Sequence, residues 1–171
     1  NRVVFAPGNV AEAYDQTRMA FELAYDYHIP AIVMYDQKLS GELRNVPESF
    51  FDREPTTGMN ATLTEEELKD AAHHASGIFQ RYQHDPESGM SPRSLPGMKG
   101  GRFLASGNEH TPEGHISEDP ANRVAQMDRR MRKLDSIRAK LDDREATHQT
   151  LHAPDGEDTT YGIMTYGSQQ G

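Results

Sequence analysis

Glu109, His110 and His115 stand close together in the chain, and Arg93, Lys99 and Arg102 shortly precede them. These residue types move protons and hold anions. Imidazole changes charge near neutral pH and can give or take a proton. Guanidinium clamps a carboxylate with two hydrogen bonds. Glu109-His110-x4-His115 also offers metal-ligand types. Its spacing is not one that zinc sites use, however, and the glycine and proline between the ligands leave their geometry unset. The expectation is an ordered loop that presents cations and imidazoles to an anionic ligand, with no metal. A plain surface loop would carry the same residues, and physics alone does not separate the two. His73 and His74 are adjacent, so they cannot share a helix face, and a packing or solvated role is expected for them.

A second set of candidates is Asn9, Asp36 and Gln37. Asn9 follows Pro7-Gly8 after one apolar run, and Asp36-Gln37 follow another. If both runs are strands of an open α/β sheet, these residues lie at the carboxyl edge, where such sheets bind ligands. The plainer reading is preferred: Asn9 caps a helix and Asp36 starts a turn. No GxxxxGK[ST], GxGxxG, HExxH or GxSxG pattern occurs, and no nucleophile–base pair is evident.

The elements that must position these residues follow from periodicity. RVVFA (Arg2 to Ala6) and AIVMY (Ala31 to Tyr35) are short apolar runs and read as buried strands. Between them, Val10, Tyr14, Thr17, Phe21 and Ala24 recur at helical spacing, flanked by Ala13, Ala20 and Tyr27. Asn9 is the N-cap, and Ile29-Pro30 stops the helix near His28. Apolar strands around a helix predict a parallel β-α-β unit with helices over the sheet. Asp36 to Thr64 reads as connecting loop and short turns. Thr64 and Glu67 then match a capping box for a helix reaching Ile78 or Phe79. RFLA (Arg102 to Ala105) reads as a short strand between Gly-rich turns. Asp119 and Pro120 start a long helix, running to Ala146. Its expected apolar stripe is Val124, Met127, Met131, Leu134, Ile137 and Leu141, with Arg129, Lys133 and other charges on outer faces. LHAPDGEDTT (Leu151 to Thr160) reads as a linker, and YGIMTYG (Tyr161 to Gly167) as a new buried strand. The closing GSQQG resembles a strand-to-helix turn whose N–H groups could hold an anion.

The segment from Gly89 to Pro120 is rich in glycine and proline and lacks periodicity, which is uncommon inside a compact domain. The chain has 171 residues and a formal net charge of -9, from 18 basic and 27 acidic residues. Mean hydropathy is -0.83. This balance argues against binding a nucleic-acid backbone, which needs clustered Lys and Arg. The absence of cysteine excludes disulfides, thiolate nucleophiles and Cys-held zinc or iron–sulfur clusters on this chain. No apolar run approaches the roughly 20 residues of a membrane span, and no signal peptide is visible, so a cytoplasmic location away from membranes is expected. The chain opens without Met just before a strand and stops at a Gly-rich turn. It reads as an excerpt of a longer protein.

VVFAPGNVAEAYDQTRMAFELAYDYHIPAIVMYDQKLS resembles the segment APGD-x-EEA…A-x-NLAE-x-Y-x-x-PV-x-x-L-x-DQ-x-LS of the 2-oxoacid:ferredoxin oxidoreductase alpha subunit. GMSPRSLPGMKGGRFLASGNEHTPEGHISEDPANRVAQMDRRMRKLD is similar to the same family's G-x-SPR-x-x-PG…G-x-EH-x-x-x-GH-x-x-ED-x-x-x-R-x-x-x-x-x-KRM-x-KL. The second motif is the specific one, because SPR, PG, EH, GH and ED fall in order with matching gaps. The pattern is closest to the 2-oxoglutarate type. The resemblance is weakest from Gly41 to Thr64 and from Asp142 to Thr160. Asn9 replaces the family's usual Asp, and Arg129-Arg130-Met131 stands where KRM is usual.

The resemblance implies an α/β protein: the parallel β-α-β portion of a thiamine-diphosphate-binding fold, with a long loop and helix leading to a second α/β domain. Residues 1–88 would end the pyrimidine-side domain. Residues 89–158 would be the interdomain loop and helix, and residues 159–171 the start of a transketolase C-terminal-like domain. The implied reaction is oxidative decarboxylation of a 2-oxoacid, 2-oxoglutarate by the closest pattern, to an acyl-CoA, with ferredoxin accepting electrons. A beta subunit is the implied partner. It would hold most of the thiamine diphosphate, Mg2+ and iron–sulfur cluster, with ferredoxin and coenzyme A met through the complex. The family's activating Glu, its YPITP-like motif and its substrate-binding Arg loop match nothing in this chain, so it is expected to bind no cofactor and to be inactive alone. Arg93, Glu109, His110 and His115 would then face the cofactor cleft or the beta subunit. The alternative is an assembly role for the loop and long helix, without direct catalytic residues.

Overall fold

The computed structural model describes residues 2–52, 62–71, 77–143 and 165–170. His73-His74, the linker from Leu151 to Thr160, most of the strand expected from Tyr161, and the expected helix end at Ala146 lie outside the described residues. The chain divides into two compact units. One is Arg2–Gly58 with Leu141–Gly171, and the other is Met59–Lys140 with Asn1.

The first unit is built on a parallel strand pair. β1 (Val3–Phe5) and β2 (Ala31–Val33) align Val3 with Ala31, Val4 with Ile32 and Phe5 with Val33. The connection is α1 (Val10–Tyr27), which lies against both strands. This is an α/β fold with the parallel β-α-β order that the apolar runs predict. Asn9 caps α1: its Oδ1 accepts from Glu12 N at 2.9 Å, and its Nδ2 donates to Glu12 Oε1 at 2.7 Å. Gly8 N donates to the other Glu12 oxygen at 2.8 Å, so one carboxylate and one amide satisfy the start of the helix. The helix ends where His28 turns left-handed, at φ 49°, ahead of Ile29-Pro30.

Two expectations shift here. The packed side of α1 carries Ala20 and Leu23, whereas Phe21 is 73% exposed. The small Ala20 side chain lets the helix approach the strands, which the bulkier Phe21 would prevent. The strands are also not buried throughout, because the opposed pair Val4 and Ile32 stays exposed. Successive strand residues face opposite sides, and α1 covers one side. The connecting region adds α2 (Gln37–Gly41), which the sequence reading does not expect, and a 3-10 turn, Glu48–Phe51, in the stretch that reads as short turns. The turn brings Phe50 and Phe51 onto Tyr14, with ring centroids 5.3 and 5.6 Å from the tyrosine ring.

The second unit is mostly loop held by specific bonds. α3 (Glu65–Asp70) starts with the expected capping box. Glu67 N donates to Thr64 Oγ1 at 3.2 Å, and Thr64 N donates back to Glu67 Oε2 at 2.8 Å. The helix stops sooner than periodicity suggests: Ala71 is extended, and Phe79 lies in a bridge rather than a helix. Phe79 and Leu68 are the unit's most buried apolar side chains. Arg102 to Ala105 is not a strand. It forms isolated bonds instead: Phe79 N donates to Arg102 O at 2.8 Å, and Leu104 N to Glu113 O at 3.3 Å. The Gly- and Pro-rich segment is nonetheless ordered. Ser94 Oγ donates to Gly101 O at 2.8 Å, and Gly89, Ser91, Ser94, Gly101 and Gly114 are buried.

α4 (Pro120–Asp143) begins at Pro120, and Asp119 Oδ1 accepts from Ala121 N at 3.1 Å. Of the expected apolar stripe, only Ile137 is fully buried, and Leu134 and Leu141 are half-buried. Val124, Met127 and Met131 are half exposed or more, whereas Gln126, Arg129, Lys133 and Ile137 are buried. These four recur at three- and four-residue steps, so they form one helix face. Arg129 and Lys133, read as outer charges, lie inward, and for Arg129 the loop supplies oxygen acceptors there. Among the described residues, no helix is long and apolar enough to cross a membrane.

Candidate functional site

At the carboxyl edge of the strand pair, Asp36 is the N-cap of α2. Its Oδ1 accepts from Leu39 N at 2.8 Å. Its Oδ2 accepts from Ser168 N at 3.0 Å and also from the Ser168 hydroxyl. Ser168 lies in the 3-10 turn Gly167–Gln170, where Gly167 has φ +65°. A Cβ on Gly167 would stand 3.4 Å from Asp36 Oδ2 and 3.9 Å from Pro7 O. The Gly167–Gln170 turn therefore lies at the ends of both strands, and the anion that its Ser168 N–H meets is a carboxylate of the same chain. The Leu39 N–H, followed by the Ser168 hydroxyl, holds the Asp36 carboxyl below its ordinary range. Asn9 is spent on the α1 cap, and Gln37 is the exposed first residue of α2. Asn9 and Asp36 thus do the capping and turn-starting work of the plainer reading. Asp36 adds a tie to Ser168 that composition gave no means of anticipating.

In the other unit, Glu109, His110 and His115 share one tight reversal. His110 bridges Ile116 in antiparallel fashion, Ser117 N donates to Glu109 O at 2.8 Å, and Thr111 N donates to His115 O at 2.9 Å. The Glu109 carboxylate pairs with Arg130 of α4. His110 Nδ1 lies 2.8 Å from the Asn108 carbonyl. A carbonyl only accepts, so Nδ1 carries the proton and Nε2 is the ring's remaining functional atom. The imidazole lies against Tyr82, with centroids 4.0 Å apart, and Asn122 Nδ2 donates to the His110 carbonyl at 3.3 Å. His110 is therefore held in place by the Asn108 carbonyl and the Tyr82 ring. His115 is exposed. Arg93 sits on a different segment. Its main chain bridges Thr62, and Leu63 N donates to its carbonyl at 2.8 Å.

A further polar cluster lies between the loop and α4. Arg129 donates from Nε to Gly89 O at 3.2 Å, from Nη1 to Gln126 Oε1 at 3.0 Å and from Nη2 to Ser91 Oγ at 2.8 Å. Arg81 Nη1 donates to Pro92 O at 3.0 Å and to Ser91 O at 3.4 Å. Burial, aided by the neighbouring guanidiniums, pushes Arg81 down to about 10 and Lys133 down to about 8. Sequence reading missed this cluster. Its one available signal was the run of cations at three- and four-residue steps opposite the apolar stripe. Among the described residues, no three His, Asp or Glu side chains converge as metal ligands.

A parallel β-α-β unit with a capped crossover helix, followed by a bonded loop and a long helix, defines an α/β protein whose loop is built into the fold. The family described as "Pyruvate flavodoxin/ferredoxin oxidoreductase, thiamine diP-bdg" matches residues 1–130. The chain belongs to this family. It is 29% identical over 136 residues to the 2-oxoacid:ferredoxin oxidoreductase 1 subunit alpha of Sulfurisphaera tokodaii, covering 78% of this chain and 20% of that protein. It is 26% identical over 167 residues to the 2-oxoacid:ferredoxin oxidoreductase 2 subunit alpha of Aeropyrum pernix, covering 98% of this chain and 24% of the relative. The chain thus spans about a fifth to a quarter of the curated relatives it matches. Among solved structures, it is similar to a 2-oxoglutarate:ferredoxin oxidoreductase from Magnetococcus marinus with 2-oxoglutarate, coenzyme A and succinyl-CoA bound. The TM-score is 0.56 at 24% identity, over 80% of this chain and 22% of that one, a likeness of fold.

Proposed function

We propose that this chain is a segment of the alpha subunit of a 2-oxoacid:ferredoxin oxidoreductase. The observation that carries the reading is the family match across residues 1–130, which takes in both the β-α-β unit and the Glu109–His115 reversal. The substrate proposed is 2-oxoglutarate, from the sequence pattern. Residues 1–88 would close the pyrimidine-side domain, 89–158 would connect the domains, and 159–171 would open the transketolase C-terminal-like domain. The partner is a beta subunit, which would hold the thiamine diphosphate, Mg2+ and iron–sulfur cluster. Coenzyme A and ferredoxin would be met by the complex. The bound thiamine would supply the carbanion chemistry of decarboxylation, and this chain's residues would shape what surrounds it. The fixed imidazole of His110 suits a group that donates or accepts one proton at Nε2. An ordered loop near a reactive carbanion would also exclude water and suppress side reactions. The location proposed is the cytoplasm.

A second reading is favoured by the half-exposed Val124, Met127 and Met131 on α4, which suit assembly contacts rather than substrate contacts. Alanine at His110 and His115 in the assembled complex separates the two readings. The first reading expects turnover to fall by about 10²-fold or more, the usual scale for a lost acid–base group, with assembly intact. Lost assembly with normal turnover per assembled complex would instead support the second.

A further inference from the structure

We infer that Asp36 is a charged clasp: its carboxylate, at the carboxyl edge of the strand pair, holds the chain at Ser168 onto the β-α-β unit, 132 positions away in sequence. The two oxygens divide the work. Oδ1 accepts from Leu39 N at 2.8 Å and starts α2. Oδ2 accepts from Ser168 N at 3.0 Å and from the Ser168 hydroxyl. Among the described residues, these are the hydrogen bonds that tie residues 165–170 back to residues 2–52. Gly167 and Ser168 are buried, whereas Thr165 and Tyr166 before them and Gln169 after them are exposed. The hold on this segment is therefore concentrated at one carboxylate. Gly167, at φ +65°, makes the turn towards Asp36 without the cost that a Cβ carries there.

Charge, rather than the shape of the side chain, is what the clasp needs. The Ser168 hydroxyl can turn round to accept, but the Ser168 N–H can only donate. An ionised carboxylate accepts on both oxygens, whereas a protonated one, or an amide, presents a donor on one side. Ser168 is buried, so losing the acceptor leaves its N–H unsatisfied. Asp36 is itself exposed, so its charge stays hydrated and is cheap to keep. The Leu39 N–H, then the Ser168 hydroxyl and N–H, outweigh partial desolvation and hold the carboxyl below 3.8. Lys38 of α2 is the charged group that acts on it, in the same sense. The end of β1 and the turn bring uncharged groups, the Pro7 carbonyl and Ser168. A depressed folded value means that the hold is complete above 3.8 and is lost as pH falls through the lowered value. The clasp is therefore shut across the neutral range. Where residues 159–171 open a second domain, Asp36 sets the point at which that domain leaves the strand edge. This consequence rests on the domain reading proposed above, and the clasp does not.

The test follows amide hydrogen exchange in the full chain by NMR. Asp36→Asn keeps an oxygen to cap α2 and puts an N–H donor where Oδ2 stood. It is expected to speed exchange at Ser168 by about tenfold or more, the scale of one lost buried hydrogen bond. Leu39 is expected to stay within about twofold, because asparagine caps a helix as well as aspartate does. Ser168→Ala leaves α2 untouched and removes the hydroxyl. It is expected to raise the Asp36 pKa towards 3.8, read from the shift of its carboxyl carbon. Unchanged Ser168 exchange in Asp36→Asn would overturn the clasp, as would an unmoved Asp36 pKa in Ser168→Ala. If Asp36→Asn also frees Leu39, the Ser168→Ala result alone decides. Neither readout involves turnover, so failure of the clasp and failure of the proposed reaction are separate results.

Discussion

At Gly114 the backbone runs at φ +94°, and a Cβ there would stand 1.9 Å from the Leu104 carbonyl oxygen and 3.1 Å from Tyr82 Cε2. The first atom is backbone and cannot swing aside. Gly97, at φ +93°, has open space around it. The two glycines separate the cost of conformation from the cost of contact. Gly97→Ala is expected to lose about 1–2 kcal/mol, the penalty of a left-handed residue bearing a Cβ. Gly114→Ala adds a steric clash and is expected to lose about 3 kcal/mol or more. Urea unfolding of the two variants measures the difference, and equal losses would mean that the loop yields around Leu104. The identity of these glycines was plain in the sequence, but their different surroundings were not, because both sit beside turn-forming neighbours. The same holds for the cations. Composition showed Arg129 and Lys133 beside Arg130 and Arg132, but not which of them meets the carbonyl of Gly89, 40 residues away.

Among the elements, those fixed by local chemistry were legible from residues alone. Asn9, Thr64 with Glu67, and Asp119 with Pro120 mark three helix starts, and each lies where the side-chain acceptor and the first free N–H groups meet. Helix faces were less legible. α4 carries an apolar stripe and a face with Arg129 and Lys133, and Arg129 is packed because the Gly89 carbonyl and the Ser91 hydroxyl of the loop supply the oxygens that its guanidinium needs. This assignment predicts an inverted mutational pattern. Val124→Ser and Met131→Ser are expected to change stability within about 0.5 kcal/mol, as exposed positions do. Arg129→Met is expected to lose about 2–4 kcal/mol, because it leaves the buried acceptors at Gly89, Gln126 and Ser91 without their donor. Chemical denaturation of the three variants tests it, and a larger loss at Met131 than at Arg129 would restore the apolar seam. The strand from Arg102 to Ala105 and the long reach of α3 misled for a related reason. Short apolar runs between glycines satisfy their backbone through single bonds as readily as through a ladder.

At the scale of the whole molecule, a low apolar content and a net charge of -9 indicated a chain with much surface. The two compact units divide it accordingly. The family was legible because its specific residues fall in the turn-rich loop, where spacing is constrained by backbone geometry rather than by periodicity. The substrate and the partner were read only through the family resemblance, not from the chemistry of the residues themselves. The central claim is therefore best tested on the assembled enzyme. The full-length alpha subunit containing this segment, purified with its beta subunit, is mixed with 2-oxoglutarate, coenzyme A and ferredoxin, and ferredoxin reduction is followed by absorbance. Reduction that requires both 2-oxoglutarate and coenzyme A, with none from the 171-residue chain alone, is the expected result. An assembled complex that reduces ferredoxin with no 2-oxoacid, or a chain that turns over by itself, would contradict it.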